Sequence, residues 1–260
     1  MSVYRILEEI KDVETLFKGW DETLIWSCLQ GYMGTAWTDC KNKMESVQIV
    51  IADFCFFAGK PSEELVKHKP KEHRSDFVIM VPENKEWAEL IKRVYEDDAT
   101  QVIRYAIKKE PNIFDYNSLK KIVDDVSEEY KIKQITKDTF DSTRKNSWSR
   151  DLCSQFKDYD DYCEHGIGVV AIHNGEVVSG ASSYTVYQGG IEIEIDTKED
   201  YRRRGLALAC GAKLILKCMD KNWYPSWDAQ NKASVALAEK LGYHFDKEYI
   251  AYEVVGYGEK

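Results

Sequence analysis

Tyr201 to Gly211, YRRRGLALACG, sets three arginines and a glycine between the strand-like run Gly190 to Thr197 and an apolar stretch continuing to about Met219. The first amides of a helix have no intrahelical acceptor and carry the positive end of its dipole. A strand, a basic turn with a glycine and then a helix therefore form a cradle for an anion, phosphate above all. By itself the pattern also fits a solvated basic loop capping an ordinary helix. Just upstream, GIEIEID alternates as a half-buried strand does. Alternation puts Glu192, Glu194 and Asp196 on one face and Ile191, Ile193 and Ile195 on the other. Carboxylates so placed are candidate proton acceptors, and equally what the solvent side of a sheet displays.

Other elements must hold these residues in place. After the cradle, Leu206, Ala207, Leu208, Ala209, Leu214, Ile215 and Leu216 are apolar, with Lys213 and Lys217 marking one wet stripe, which predicts a helix packed onto a sheet. Trp223 to Asp228 reads as a strand, and Asn231 to Gly242, NKASVALAEKLG, as a helix closed by a glycine. Upstream, Gly166 to His173 and Glu176 to Tyr187 flank Asn174-Gly175, the signature of a two-residue hairpin turn.

The spacing Arg202-x-x-Gly205-x-Ala207, followed by a strand, an asparagine that opens a helix, and the ending Lys240-Leu-Gly-Tyr243, resembles the GNAT (GCN5-related) N-acetyltransferase superfamily over roughly residues 129 to 260. The resemblance implies a mixed, mostly antiparallel sheet flanked by helices, and acetyl-coenzyme A as cosubstrate. It implies that Arg202, Arg203, Arg204, Gly205, Leu206 and Ala207 cradle the pyrophosphate, mainly through backbone donors. It further implies that the backbone of Ile195, Asp196 and Thr197 holds the pantetheine arm and polarises the thioester, and that Asn231 bonds that arm or orders the loop beside it.

Acetyl transfer to an amine needs a neutral nucleophile and a proton for the departing thiolate. Glu192 and Glu194 are the candidates for the general base. Many members of the family carry a tyrosine seven residues after the asparagine as general acid; here that position is Ala238, and Tyr243, Tyr249 and Tyr252 are the nearest substitutes. The implied reaction is acetylation of a primary amine on a small molecule, antibiotic- or metabolite-like, and the chain looks like the zwittermicin A resistance-type subgroup. Two alternatives remain: a non-catalytic acyl-coenzyme A sensor, suggested by Ala238, and an aminoacyl transferase built from tandem GNAT-like domains.

At 260 residues, 43% apolar and 12% aromatic, the chain has enough apolar surface for a packed core. A formal charge of -9 argues against a nucleic-acid surface. Seven cysteines without a C-x-x-C pair read as thiols in a reducing cytoplasm. MSVYRILEEIKDVETLF lacks the apolar core of a signal sequence, and the most apolar run, Val47 to Ala58, is too short to span a bilayer. The five histidines are scattered, so no metal site is expected.

The expected architecture is α/β, with an α/β N-terminal domain over 1–128 and a GNAT domain over 129–260. The first half carries its own echo. FVIMVPENKEWAELIKRVY overlays YPSWDAQNKASVALAEKLG without a gap, so Asn84 falls on Asn231, which suggests a degenerate repeat; any strand-helix-strand unit would also show some such coincidences. In place of the arginine cradle the first half reads FFAGKPSEEL, so only the second half is expected to bind coenzyme A. Homodimerisation is left open.

Overall fold

The protein is described by a computed structural model covering residues 3–6, 10–40 and 44–260. In chain order the first elements are β1 (Tyr4–Arg5), α1 (Ile10–Leu16), α2 (Thr23–Leu29), β2 (Thr35–Thr38), β3 (Ser46–Ile51), β4 (Phe54–Gly59), α3 (Glu63–Lys67), β5 (Phe77–Pro82), α4 (Lys85–Tyr95) and β6 (Ala99–Ile107). Then come α5 (Tyr116–Asp124), β7 (Lys131–Gln134), α6 (Lys137–Lys145), α7 (Tyr159–His165), β8 (Gly168–His173), β9 (Glu176–Tyr187) and β10 (Gly190–Thr197). The chain continues with α8 (Leu206–Asp220), β11 (Tyr224–Ser226), β12 (Asp228–Ala229), α9 (Lys232–Lys240) and β13 (Phe245–Val255).

The chain divides into two compact units, Met1–Arg104 with Glu248–Lys260, and Tyr105–Lys247. The division falls at 104/105 and 247/248 rather than at the 128/129 boundary read from the sequence. The reason lies in packing: α5, assigned from sequence to the first domain, lies against α8 in the second unit. The end of the chain, assigned to the second domain, supplies a strand to the first unit.

In the first unit the sheet order is β1-β2-β3-β4-β5-β13-β6. β3 and β4 are antiparallel, whereas β5 runs parallel to β4 after the α3 crossover. β13 pairs antiparallel with β5, Tyr252 opposite Met80 and Val254 opposite Val78. Near-continuous burial along β3 and β4 explains why their sequences read as unbroken apolar runs. Trp87 of α4 is fully buried, stacks on Phe57 at 4.9 Å and donates its indole N–H to the Gly59 carbonyl at 2.9 Å. Gly59 has φ of +81°, and a methyl there would collide with the Glu45 carbonyl oxygen. Gly59→Ala should therefore cost about 2 to 5 kcal/mol, the sum of a left-handed backbone penalty and overpacking. Urea unfolding measures it, and an unchanged midpoint would refute the account.

The second unit has a five-stranded sheet in the order β11-β10-β9-β8-β7. β8 and β9 form the hairpin read from Asn174-Gly175, both residues having positive φ as its turn requires. α8 is apolar on nearly all sides because it is buried between the sheet strands β8, β9 and β10 and the helix α5. The run read as one strand, Trp223 to Asp228, is two: β11 pairs with β10, and β12 with the end of β6, Asp228 opposite Ala106. Buried Trp227 separates them, its indole N–H donating to Ser234 Oγ at 3.0 Å.

Both units show one order of elements: an antiparallel strand pair, a helix, a strand parallel to the second of the pair, and a further helix. Asn84 and Asn231, overlaid in the sequence comparison, play the same part. Each caps its helix, accepting from the amides of Trp87 and Ser234 respectively.

Candidate active site

β10 is paired with β9 along its whole length but with β11 only from Gly190 to Glu192. Among the described residues no strand pairs with its other edge beyond Glu192. In an antiparallel ladder alternate residues bond the same neighbour. Since the Lys198 amide donates to the Val178 carbonyl at 3.0 Å, Asp196 and Glu194 turn their backbone groups to β9. Ile195 and Thr197 turn theirs to the unpaired edge. Such an edge is a template for an extended ligand with amide groups of its own.

The edge leads straight into the basic turn. A single helical turn at Glu199–Tyr201 is followed by Arg203 at φ of +61° and Gly205 at φ of +79°, which curl the chain so that α8 begins at Leu206. Gly205 at the N-cap offers no side-chain acceptor to the first amides of this 15-residue helix. A Cβ at Gly205 would meet nothing within 4 Å, so packing does not demand glycine there. The positive φ and the open approach to the helix amides do.

A cavity of about 610 Å³ opens at this place, lined by Ile195, Asp196 and Thr197 from β10, by Arg202, Arg203, Gly205, Leu206 and Ala207 from the turn, and by Leu237 and Lys240 from α9. Most residues read from the sequence as cofactor-binding thus come together. Arg204 does not line it: its guanidinium donates to Tyr130 Oη at 3.0 Å and to the Asp200 carbonyl at 2.9 Å, and lies 5.0 Å over the Tyr201 ring. Tyr201 Oη is in turn 3.1 Å from His173 Nδ1. Arg204 therefore holds the turn; Arg202 and Arg203 line the cavity, Arg202 with its Nε–H donating to the Thr197 carbonyl at 3.3 Å. Asn231 is spent on capping α9 and is not in the lining either.

Of the three carboxylates on β10, Asp196 lines the cavity, whereas Glu192 is buried and Glu194 half-buried outside the lining. Burial, and then the neighbouring Asp151 carboxylate, push the Asp196 carboxyl up to about 6, against the opposing pull of the Thr197 amide and Arg202. From sequence Asp196 shared the acidic face, but Glu192 and Glu194 were the candidates for the base and Asp196 was assigned a backbone role. Its acid-base character depends on burial and on Asp151, a residue remote in sequence. Leu237 and Lys240 were also missed; their i, i+3 spacing marks one helix face without saying what lies opposite.

Ala238 is fully buried and has no acidic group. Tyr243 is no substitute, because its hydroxyl donates to the Pro225 carbonyl at 2.6 Å and burial raises its pKa well above the usual tyrosine range. Tyr252 belongs to the other unit, donating to Gln101 Oε1 at 3.2 Å. In the first unit two amides ahead of α3 are taken internally, Gly59 by Glu83 Oε2 at 2.9 Å and Lys60 by the Glu45 carbonyl at 2.7 Å. Pro61 has no amide to offer.

Known proteins share this fold. The profile described as GNAT acetyltransferase matches residues 14–252, so the likeness extends well before residue 129. The chain is similar to the uncharacterized N-acetyltransferase YdfB of Bacillus subtilis (strain 168), 31% identical over 173 residues, 64% of this chain and 62% of that relative's length. The crystal structure of a GCN5-related N-acetyltransferase-like protein from Streptococcus suis is 44% identical with a TM-score of 0.89, covering 94% of this chain and 98% of that one. A GCN5-related N-acetyltransferase from Kribbella flavida, 14% identical with a TM-score of 0.51 over 81% of this chain and 86% of that one, shares the fold. Among the described residues no helix is long and apolar enough to cross a membrane, and no group of three or more His, Cys, Asp and Glu is placed to hold a metal ion.

Proposed function

Because the chain belongs to the GNAT acetyltransferase family, we propose that it transfers acetyl from acetyl-coenzyme A to a primary amine of a small molecule. One observation carries the reading: the unpaired edge of β10 runs directly into an amide cradle with no side chain over it. The cosubstrate, when bound, supplies the acetyl group already activated as a thioester. The Ile195 and Thr197 backbone would receive the amides of the pantetheine arm, and the first amides of α8, with Arg202 and Arg203, its pyrophosphate.

Asp196 is the proton acceptor in this proposal, in place of Glu192 and Glu194. It lies in the cavity wall, and with its carboxyl raised to about 6 it is ionised yet basic enough near neutral pH to take a proton from an incoming ammonium. The nitrogen then bonds the acetyl carbon as the C–S bond breaks and gives up its second proton to solvent to become the amide, and the thiolate takes its proton from solvent, since no tyrosine stands at position 238. The negative overall charge suits a cationic acceptor better than nucleic acid. Seven free cysteines support a cytoplasmic setting.

Calorimetric titration of acetyl-coenzyme A, followed by thiol release with a panel of primary amines, tests the reading. Saturable binding together with amine-dependent thiol release is the expected result; folded protein that does not bind the thioester refutes it. Ala238 favours one second reading, a sensor that binds the thioester without turnover, and this would show as binding with no thiol release from any amine.

A further inference from the structure

The basic turn is gripped by side chains from an earlier part of the chain. Tyr130 is the residue before β7 and His173 the last of β8; with Lys131 opposite Ile172, the two stand side by side at one end of the sheet. Their ring centroids are 5.2 Å apart, and the Tyr201 ring meets both edge-on, at 6.4 Å and 5.5 Å. Tyr201 Oη is 3.1 Å from His173 Nδ1, and His173 Nε2 is 3.5 Å from Glu129 Oε2, so both ring nitrogens face an oxygen. Arg204 closes the arrangement. Its guanidinium lies over the Tyr201 ring and donates from one nitrogen to Tyr130 Oη and from the other to the Asp200 carbonyl. Tyr130 is buried, whereas Arg204 is exposed and would otherwise be free to move.

Arg204 stands between Arg203, at positive φ, and Gly205, the N-cap of α8. Fixing its side chain therefore fixes the main chain on both sides of it, and a turn that already has its bound shape loses no freedom when a ligand arrives. We propose that Tyr130 is a positioning residue for the anion cradle, acting through Arg204 to hold the basic turn in the shape that presents the first amides of α8 to a phosphate. Tyr130 does not line the cavity, so its effect on a ligand must pass through the turn. Were Arg204 a phosphate ligand instead, freeing it from Tyr130 would strengthen binding; the positioning role predicts the reverse. The identity of the ligand as acetyl-coenzyme A rests on the acetyltransferase reading, and the hold on the turn does not.

The test is a double-variant cycle on the full chain, read by calorimetric titration of acetyl-coenzyme A. Tyr130→Phe removes the hydroxyl and keeps the ring. It should weaken binding about tenfold, the lower end of what a hydrogen bond to a charged group is worth. In an Arg204→Ala background the same change should matter by less than about twofold, because its route to the cradle is gone. A role in packing alone predicts the same loss in both backgrounds; that result overturns the proposal, as does unchanged or tighter binding by Tyr130→Phe. Thermal melting confirms that each variant is folded. If Arg204→Ala does not fold, Arg204→Lys replaces it, since lysine lacks the fork that reaches Tyr130 and Asp200 together. If wild type binds no acetyl-coenzyme A, the acetyltransferase reading falls, and the same cycle titrated with inorganic pyrophosphate decides the positioning role by itself. Binding of neither overturns both.

Discussion

Gly205→Glu should lower the affinity for acetyl-coenzyme A by at least about 100-fold, with the fold retained. Several effects point the same way. The substituted side chain would enter the cavity that Gly205 lines, beside the first amides of α8. Its carboxylate would compete for those amides and repel a phosphate group brought close to them. The protein should tolerate the change: nothing lies within 4 Å of the position a Cβ would take. The φ of +79° costs a non-glycine residue about 1 to 2 kcal/mol, partly offset by a negative charge at a helix N-terminus. Calorimetric titration measures the affinity and thermal melting the fold. A folded variant that binds within a few-fold of wild type would mean that the anion cradle lies elsewhere.

Asp196→Asn should reduce turnover by about 100- to 10,000-fold, the usual worth of a positioned proton acceptor. It should also remove the acid limb of the profile of kcat/KM against pH. In wild type that limb should rise through about pH 6, where the carboxyl loses its proton and becomes able to accept one. Stability moves the other way. The folded-state value, about 6, is above the ordinary 3.8, so the native state holds its proton more tightly than the unfolded chain. That advantage is complete below about pH 4 and lost as pH rises through 6. Asn, which never ionises, should therefore leave the protein more stable than wild type at pH 8 and no different at pH 4. After discounting for the half-exposed carboxyl, the gain is about 2 kcal/mol. A variant with full activity and an unshifted profile would return the role of base to Glu194 or Glu192.

The elements around the basic turn were legible because their information is local. The basic turn, the strand Gly190 to Thr197 and the asparagine-opened helix each draw on neighbours along the chain, and all three elements form; the alternation did not carry over into burial, because β10 is buried on both faces over Gly190 to Ile193 and half-buried beyond. What escaped depended on distant partners. Arg204 looks identical to Arg202 and Arg203 in sequence, and only Tyr130, brought beside it by the fold, turns it away from the cavity. Trp223 to Asp228 carries one continuous strand signal, although β10 pairs with one part of it and β6 with the other. Alternation also made Glu192, Glu194 and Asp196 equivalent. Burial, the Asp151 charge and the cavity wall make them three different groups.

The place of β13, between β5 and β6, bears on how the protein is made. A ribosome delivers β5 and β6 early, then the whole of Tyr105–Lys247, and only afterwards Glu248 to Val255. The unit whose residues come first is thus the one whose sheet is finished last. Until then the β5 edge has no antiparallel neighbour from β13 and offers unpaired amides and carbonyls to any other nascent chain nearby. Shortening the gene from its 3′ end would, by the same logic, injure the amino-terminal unit before it reached the cradle.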